Sequence, residues 1–222
     1  MISVIVPTMW KYEPFLDFVK ELAKVSSVGE IIIINNDKTK TPDHVALNNP
    51  KVKLHDCERN IYVNPAWNLG VQLSSFDKLC IMNDDVIVDL KLFDRIEHCL
   101  TDQVGVVGIC PGRPEFGQPP FRDGSIDISV WTGQHSFGFG SLFFIHKNNW
   151  IDIPSDLEVY YGDNWIFDIQ LFVKRKNNFI ISNCFFFSPW AQTTSTISTN
   201  EWMEREGPIY QNIKRILISH KA

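Results

Sequence analysis

Two short aliphatic runs near the start of the chain constrain the fold most. Ile2–Thr8 and Ile31–Ile34 are almost continuously apolar and rich in β-branched residues, which is typical of strands buried on both faces of a sheet. Between them, Glu13–Val25 carries apolar residues at helical spacing, and Pro14 suits a first turn. A strand, a helix and a strand in this order predict a parallel pair joined by a helical crossover.

The same alternation continues along the chain. Further strands are predicted at Val52–His55, Lys78–Met82, Val104–Cys110 and Phe179–Phe187, further helices at Asn64–Leu73, Val159–Lys174 and Glu201–Ser219, and a loop at Pro111–Pro120. We therefore expect an α/β fold with a central, mostly parallel sheet covered by helices on both faces. The length of 222 residues fits a single domain.

Composition and charge indicate which partners and which cellular location to expect. The formal net charge of −5 gives no electrostatic case for tight binding to a nucleic-acid duplex. The five cysteines are scattered and odd in number, which predicts free thiols in a reducing compartment. The first residues lack the basic start of a signal peptide, and the apolar runs are too short to span a bilayer. A cytoplasmic location is expected.

Polar clusters follow three of the predicted strands: Pro7-Thr8, Asn36-Asp37 and Asn83–Asp85. Ligands of open parallel sheets bind beyond the carboxyl ends of the strands. Adjacent carboxylates at such an end suit a hard cation such as Mg²⁺ or Mn²⁺, which is commonly shared with a diphosphate. Asn-Asp-Asp also makes a good polar turn. The coincidence with the other two clusters favours a metal-binding role.

Several segments resemble, in order, the signatures of family 2 glycosyltransferases with the GT-A fold: Ser3–Thr8, Ile31–Asp37, Asn60 with Ala66–Gly70, and Ile81–Val86. The resemblance covers roughly residues 1–90. It implies a single domain over residues 1–222, with a nucleotide-sugar-binding half at 1–110 and an acceptor-binding half at 111–222. The implied reaction is an inverting, metal-dependent transfer from a nucleoside-diphosphate sugar, usually a UDP-sugar.

The resemblance also implies roles for residues of the nucleotide pocket. Pro7 and Thr8 would line the pocket, Asp37 would meet the uracil, and Asn68 would support the pocket from its helix. Asp84 would meet the ribose or the donor sugar. Each of these residues also has a purely structural interpretation; for Asp37 it is a turn or a helix N-cap.

The metal ligand implied by the resemblance is Asp85, with Mn²⁺ or Mg²⁺ as the ion. Asn83 stands where the common Asp-x-Asp form has its first carboxylate, so the number of protein ligands stays open. Family members often add a late histidine to the metal, but the corresponding stretch Phe187–Gln192 has none. His135 is expected to be an ordinary surface or core histidine.

An inverting transfer needs a general base for the acceptor hydroxyl. Gly162–Trp165 is similar to the family's run that opens a helix with this carboxylate, so Asp163 is the predicted base, with an N-cap role as the alternative. Asp168 is the reserve, although packing within the helix is favoured for it. The glycines of Gly138–Ser141 would allow the backbone to approach the donor.

Two other functions are compatible with parts of the pattern. A nucleotidyltransferase also places carboxylates beyond a parallel sheet, but Thr8–Tyr12 lacks the glycine-rich triphosphate loop. A non-catalytic sugar-binding module is favoured only by Asn83. The acceptor is expected to be a glycan, a glycoprotein or a small molecule. A modified DNA base is less favoured because of the acidic balance.

Overall fold

The computed structural model describes residues 1–109, 126–131, 135, 138–189 and 199–219. The helices are α1 Phe15–Leu22, α2 Val63–Leu73, α3 Lys91–Cys99, α4 Gly162–Phe172 and α5 Thr199–Ser219. The strands are β1 Ile2–Thr8, β2 Val28–Asn35, β3 Val52–Asp56, β4 Lys78–Met82, β5 Ile87–Val88, β6 Val107–Ile109, β7 Asp127–Val130, β8 Leu142–His146, β9 Phe179–Ser182 and β10 Phe186–Phe187.

Eight strands form one sheet in the order β3-β2-β1-β4-β8-β6-β9-β7. The pairs β3-β2, β2-β1, β1-β4 and β6-β9 are parallel, whereas β8 runs antiparallel to both β4 and β6, and β7 antiparallel to β9. The sheet is therefore mostly parallel, as predicted. β5 and β10 form a separate antiparallel ribbon.

The continuous apolar strands are explained by helices on both faces of the sheet. Ile31 and Ile33 of β2 pack in one core with α1 and α3, while Ile32 and Ile34 pack in the other core with α2, α4 and α5. Because successive side chains of a strand point to opposite faces, both sets must be apolar. The expected α/β architecture is confirmed.

Two predicted strands are shorter in the structure. Phe179–Phe187 splits into β9 and β10, because Asn183 adopts a positive φ of 55° that ends the first strand. Val104–Cys110 is reduced to β6, because the side chain of Asn178 takes the Val106 N–H, at 3.0 Å, before the ladder begins. Cys110 and the predicted loop Pro111–Pro120 lie outside the described residues.

Two predictions from composition can be compared with the structure. The four cysteines among the described residues, Cys57, Cys80, Cys99 and Cys184, are free thiols. Within the described part of the chain, no helix combines the length and the apolar character needed to cross a membrane.

Gly70 of α2 provides a test of how tightly the helix packs on the sheet. A Cβ atom at this position would lie 2.2 Å from Cγ2 of Ile5 in β1. Alanine normally stabilises a helix interior relative to glycine by ~1 kcal/mol. Here we expect Gly70→Ala to destabilise the protein by about 1–3 kcal/mol through overpacking, measured by urea unfolding. The exposed Gln72→Ala on the same helix should change little; a stabilised Gly70→Ala would contradict this packing.

Candidate active site at the carboxyl edge of the sheet

The carboxyl ends of β1 and β4 are joined by a direct side-chain contact. Thr8 donates its hydroxyl hydrogen to Oδ2 of Asp84, at 2.6 Å, and accepts the backbone N–H of Trp10, at 2.9 Å. Pro7 is buried in β1 beyond Ile5, where pairing with β4 ends, so its missing N–H breaks no ladder bond on that side. The structure thus brings Pro7, Thr8 and Asp84 together.

Asp84 and Asp85 form a largely buried carboxylate pair. Asp85 is only 8% exposed. Burial, followed by the neighbouring charge of Asp84, raises the pKa of Asp85 to about 6. Burial also raises the pKa of Asp84, although the Thr8 hydroxyl and the charge of Lys11 act in the opposite direction. The pair therefore holds negative charge in a place that favours its neutralisation.

The surroundings of Asp85 come from both halves of the chain. Pairing of β10 with β5 places Ser188 beside Asp85, where the serine hydroxyl hydrogen-bonds the carboxylate. Tyr12 is also close enough for the charge of Asp85 to raise the phenol pKa, after burial as the main cause. Ser188 lies in Phe187–Gln192, the stretch that corresponds to the one in which family members often carry a metal-binding histidine. Its contact with Asp85 was not predicted from the sequence.

The donor set tests whether these residues fit a divalent cation. No group of three His, Cys, Asp or Glu side chains that could hold a metal occurs among the residues with described positions. Asp85 and Asp84 nevertheless supply hard oxygen ligands of like charge in a dehydrated setting, which suits Mg²⁺ or Mn²⁺. The pair fits a cation that takes its remaining ligands from a diphosphate and water.

The end of β2 is organised by Asn35 rather than by Asp37. The Asn35 side chain accepts hydrogen bonds from Trp10 Nε1, at 2.7 Å, and from the Asp37 N–H, at 3.0 Å, and donates to Asp56 Oδ1, at 2.7 Å. Asp37 itself contacts Lys40 Nζ at 2.8 Å. This contact is the main cause of a lowered Asp37 pKa. The predicted contact of Asp37 with uracil stays a prediction.

Asn68 lies in the second turn of α2 and holds a neighbouring segment. Its amide donates to the carbonyl of Ile153 at 2.9 Å and accepts the Ile153 N–H at 3.0 Å. Both halves of the amide are thus used within the protein. This arrangement suits the supporting role implied by the resemblance rather than direct contact with a nucleotide.

Asp163 lies at the first turn of α4, where Gly140 and His135 approach its carboxylate. Oδ2 accepts the Gly140 N–H at 3.0 Å and lies 2.9 Å from Nε2 of His135. Burial alone would raise the pKa of Asp163, but His135 and the backbone N–H groups of Asn164 and Gly140 outweigh it and lower the pKa. A Cβ on Gly140 would lie 2.9 Å from Asp163 Cγ, so glycine permits this approach.

The turn that precedes β8 connects Asp163 to the end of β4. Phe139–Ser141 forms a short 3₁₀ turn that leads into β8. The Asn83 N–H donates to the carbonyl of Ser141 at 3.0 Å, and the next residue back, Gly140, donates to Asp163. The backbone of the glycine segment thus contacts Asp163, and its predicted approach to the donor stays a prediction. Asn83, Asp84 and Asp163 consequently border one edge of the sheet.

α5 supports the segment that precedes Asp163. Glu206 is fully buried, and its carboxylate accepts the N–H groups of Glu158 at 3.0 Å and Tyr160 at 2.7 Å. Asp168 accepts the Tyr210 hydroxyl hydrogen at 2.5 Å and lies 3.0 Å from Lys214 Nζ. The packing role favoured for Asp168 is therefore the one observed.

Comparison with known proteins places this arrangement in a fold class. No protein-family model matches the sequence, and no curated protein matches it. Among solved structures, the chain is similar to GalNAc-T7 with UDP, GalNAc and Mn²⁺, with 14% identity, a TM-score of 0.61, and coverage of 85% of this chain and 43% of that one. It is also similar to S. aureus TarS 1–349 with UDP, with 15% identity, a TM-score of 0.59, and coverage of 84% and 60%.

A third similar structure is S. aureus TarS 1–349 with UDP-GlcNAc, with 15% identity, a TM-score of 0.59, and coverage of 84% of this chain and 58% of that one. These likenesses show that the protein has the GT-A-like glycosyltransferase fold. The chain spans less than two thirds of each of these structures. Membership of family 2 in particular stays a prediction.

The raised pKa of Asp85 predicts how stability depends on pH without metal. Because the folded protein binds this proton more tightly than the unfolded chain, the free energy of unfolding should fall as pH rises from 3.8, the ordinary pKa of an aspartate, to about 6. In EDTA, Asp85→Asn should remove this loss and be more stable at pH 7 by up to about 3 kcal/mol. Parallel stability curves for the two proteins would contradict the prediction.

Glu206 predicts a second effect on stability. Glu206→Gln keeps the shape of the side chain but replaces one acceptor oxygen and removes the charge that binds the N–H groups of residues 158–160. We expect a loss of about 1–3 kcal/mol in urea unfolding. Glu204→Gln on an exposed position of the same helix is the control. Equal effects of the two substitutions would show that the buried contacts contribute little.

Proposed function

We propose that the protein is a metal-dependent inverting glycosyltransferase that moves a sugar from a nucleoside-diphosphate sugar, with a UDP-sugar as the proposed donor, to an acceptor hydroxyl. The observation that carries this proposal is the pair of a partly buried Asp84 and a buried Asp85 at the carboxyl edge of a GT-A-like sheet, with Asp163 on the same edge. The structures with UDP or UDP-GlcNAc among its neighbours support the choice of donor.

Donor binding is assigned to the ends of β1, β2 and β4. Pro7, Thr8 and the turn that contains Asp37 would contact the nucleoside, and Asp84 would meet the ribose or the donor sugar. Asp85 would hold Mn²⁺ or Mg²⁺; one of the similar structures contains Mn²⁺. When bound, such a cation would neutralise the charge that develops on the leaving diphosphate.

Asp163 is the proposed general base. Its carboxylate would take the proton of the acceptor hydroxyl while the hydroxyl oxygen bonds to the anomeric carbon. The bond from that carbon to the diphosphate oxygen breaks at the same time, and the nucleoside diphosphate leaves with the electron pair. Attack from the side opposite to the leaving group inverts the configuration. The lowered pKa keeps Asp163 ionised at neutral pH.

Binding of UDP with and without Mn²⁺ tests the donor and metal roles. We expect calorimetry to show UDP binding at least tenfold tighter with Mn²⁺ than with EDTA, because Asp85 would hold the ion and the ion would offset the charge of the diphosphate. Asp85→Asn should abolish this difference. Asp77→Asn, an exposed residue just before the opposite end of β4, should retain it. UDP affinity that is independent of Mn²⁺ in the unchanged protein would count against the proposal.

Other outcomes would indicate the alternatives. Release of pyrophosphate from a nucleoside triphosphate would point to a nucleotidyltransferase. Sugar binding without metal-dependent binding of UDP would point to a non-catalytic sugar-binding module. The acceptor is proposed to be a glycan, a glycoprotein or a small molecule, and transfer to a modified DNA base is a further arm of an acceptor screen.

A further inference from the structure

His135 is a buried histidine in direct contact with the carboxylate of Asp163. Its side chain is only 11% exposed, and Nε2 lies 2.9 Å from Asp163 Oδ2. Nε2 is shielded from solvent and makes no regular hydrogen bond with any described residue. The nearby carboxylate oxygen is therefore the acceptor that a proton on Nε2 can reach.

Two phenylalanines hold the imidazole in this place. The ring centroid of His135 lies 5.2 Å from that of Phe139 and 5.6 Å from that of Phe167. Both phenylalanines are fully or almost fully buried, and Phe167 belongs to α4, the helix that begins beside Asp163. Because the ring packs against two buried side chains that also contact each other, its position relative to Asp163 is set by the core.

The contacts on Asp163 converge on one oxygen. The Gly140 N–H and the His135 imidazole both approach Oδ2. Donors that converge on one oxygen resist rotation of the carboxylate about χ2. They fix the direction in which the carboxylate faces an acceptor hydroxyl, and the orientation of a base strongly affects its efficiency.

We propose that His135 is a positioning residue for Asp163, holding its carboxylate in one orientation through Oδ2; this inference rests on the proposed role of Asp163 as the general base. His135 does not contact the reacting atoms. It acts as the third group that orients a base, an arrangement found where a catalytic side chain must be held in one rotamer.

Among the described residues, two backbone N–H groups and one phenol also lie near this carboxylate. From α4 itself comes the Asn164 N–H, and from the turn before β8 the Gly140 N–H. From α5, Tyr210 is near enough for the charge of Asp163 to add to the raised pKa of its phenol. Since His135 lowers the Asp163 pKa, its removal should raise that pKa and shift the acid limb of the rate profile to higher pH.

Nitrogen NMR of the labelled histidines tests the contact without any substrate. We expect the His135 Nε2 resonance, assigned from its absence in His135→Gln, to be that of a protonated nitrogen and to shift in Asp163→Asn. Asp156→Asn, which changes an exposed carboxylate in the segment before α4, should leave it in place. An unchanged resonance in Asp163→Asn overturns the proposal whatever the rates.

The rate of UDP release from UDP-GlcNAc in Mn²⁺ tests the role. His135→Leu, which keeps apolar bulk against the phenylalanines, should lower kcat roughly tenfold to hundredfold with KM nearly unchanged. It should also move the acid limb to higher pH. His135→Gln, whose amide nitrogen can replace Nε2 as a donor, should recover most of kcat. Binding of UDP should be alike in all these proteins, which shows that they are folded.

The outcomes separate this inference from the proposed function. Loss of activity in Asp163→Asn together with an unaltered rate and pH profile in His135→Leu would reject the positioning role alone. Full activity in Asp163→Asn would reject Asp163 as the base. Absence of UDP release from the unchanged protein would count against the proposed function, and the NMR experiment would then decide the contact.

Discussion

The burial of β2, β1 and β4 on both faces is the constraint on which the rest of the structure depends. Their side chains fill two separate apolar cores. A polar side chain in the middle of these strands would be buried without water, so the polar groups of the candidate site lie where the strands end. At that edge, neighbouring helices and loops exclude water from the carboxylates as well. The raised pKa values of Asp84 and Asp85 follow from this position.

The second half of the chain completes the edge through contacts that are distant in sequence. β8 pairs antiparallel with β4, which brings the preceding turn against Asn83 and Asp163. The two-residue strands β5 and β10 bring Ser188 to Asp85. Glu206 binds the segment before α4 from the opposite direction. Asp163 and the pair Asp84 and Asp85 are therefore positioned by contacts between segments that are distant in sequence.

This division explains which features could be predicted from the sequence. β1, β2 and β4 have long apolar runs that end in polar clusters. The sheet, its carboxyl edge and the position of Asp84 and Asp85 could therefore be predicted from short stretches of the sequence. The contacts of Ser188 with Asp85 and of His135 with Asp163 could not be predicted, because short strands carry no periodic signal and a lone histidine belongs to no recognisable motif. Asn35 could have been found as the polar residue that ends β2, but its partners come from three different segments.

The carboxylates at this edge have pKa values shifted in opposite directions: the pKa of Asp85 is raised and that of Asp163 is lowered. Asp85 is desolvated beside a like charge, so its ionised form needs a cation. Asp163 is also shielded in part from solvent, but hydrogen-bond donors surround its carboxylate, so it stays ionised without a cation. Chemically identical groups in one site can have different roles when their environments shift their pKa values apart. The donors that keep Asp163 ionised also make it a weaker base. In the proposed role of Asp163 as a general base, the orientation of its carboxylate would then matter more than how strongly it binds a proton.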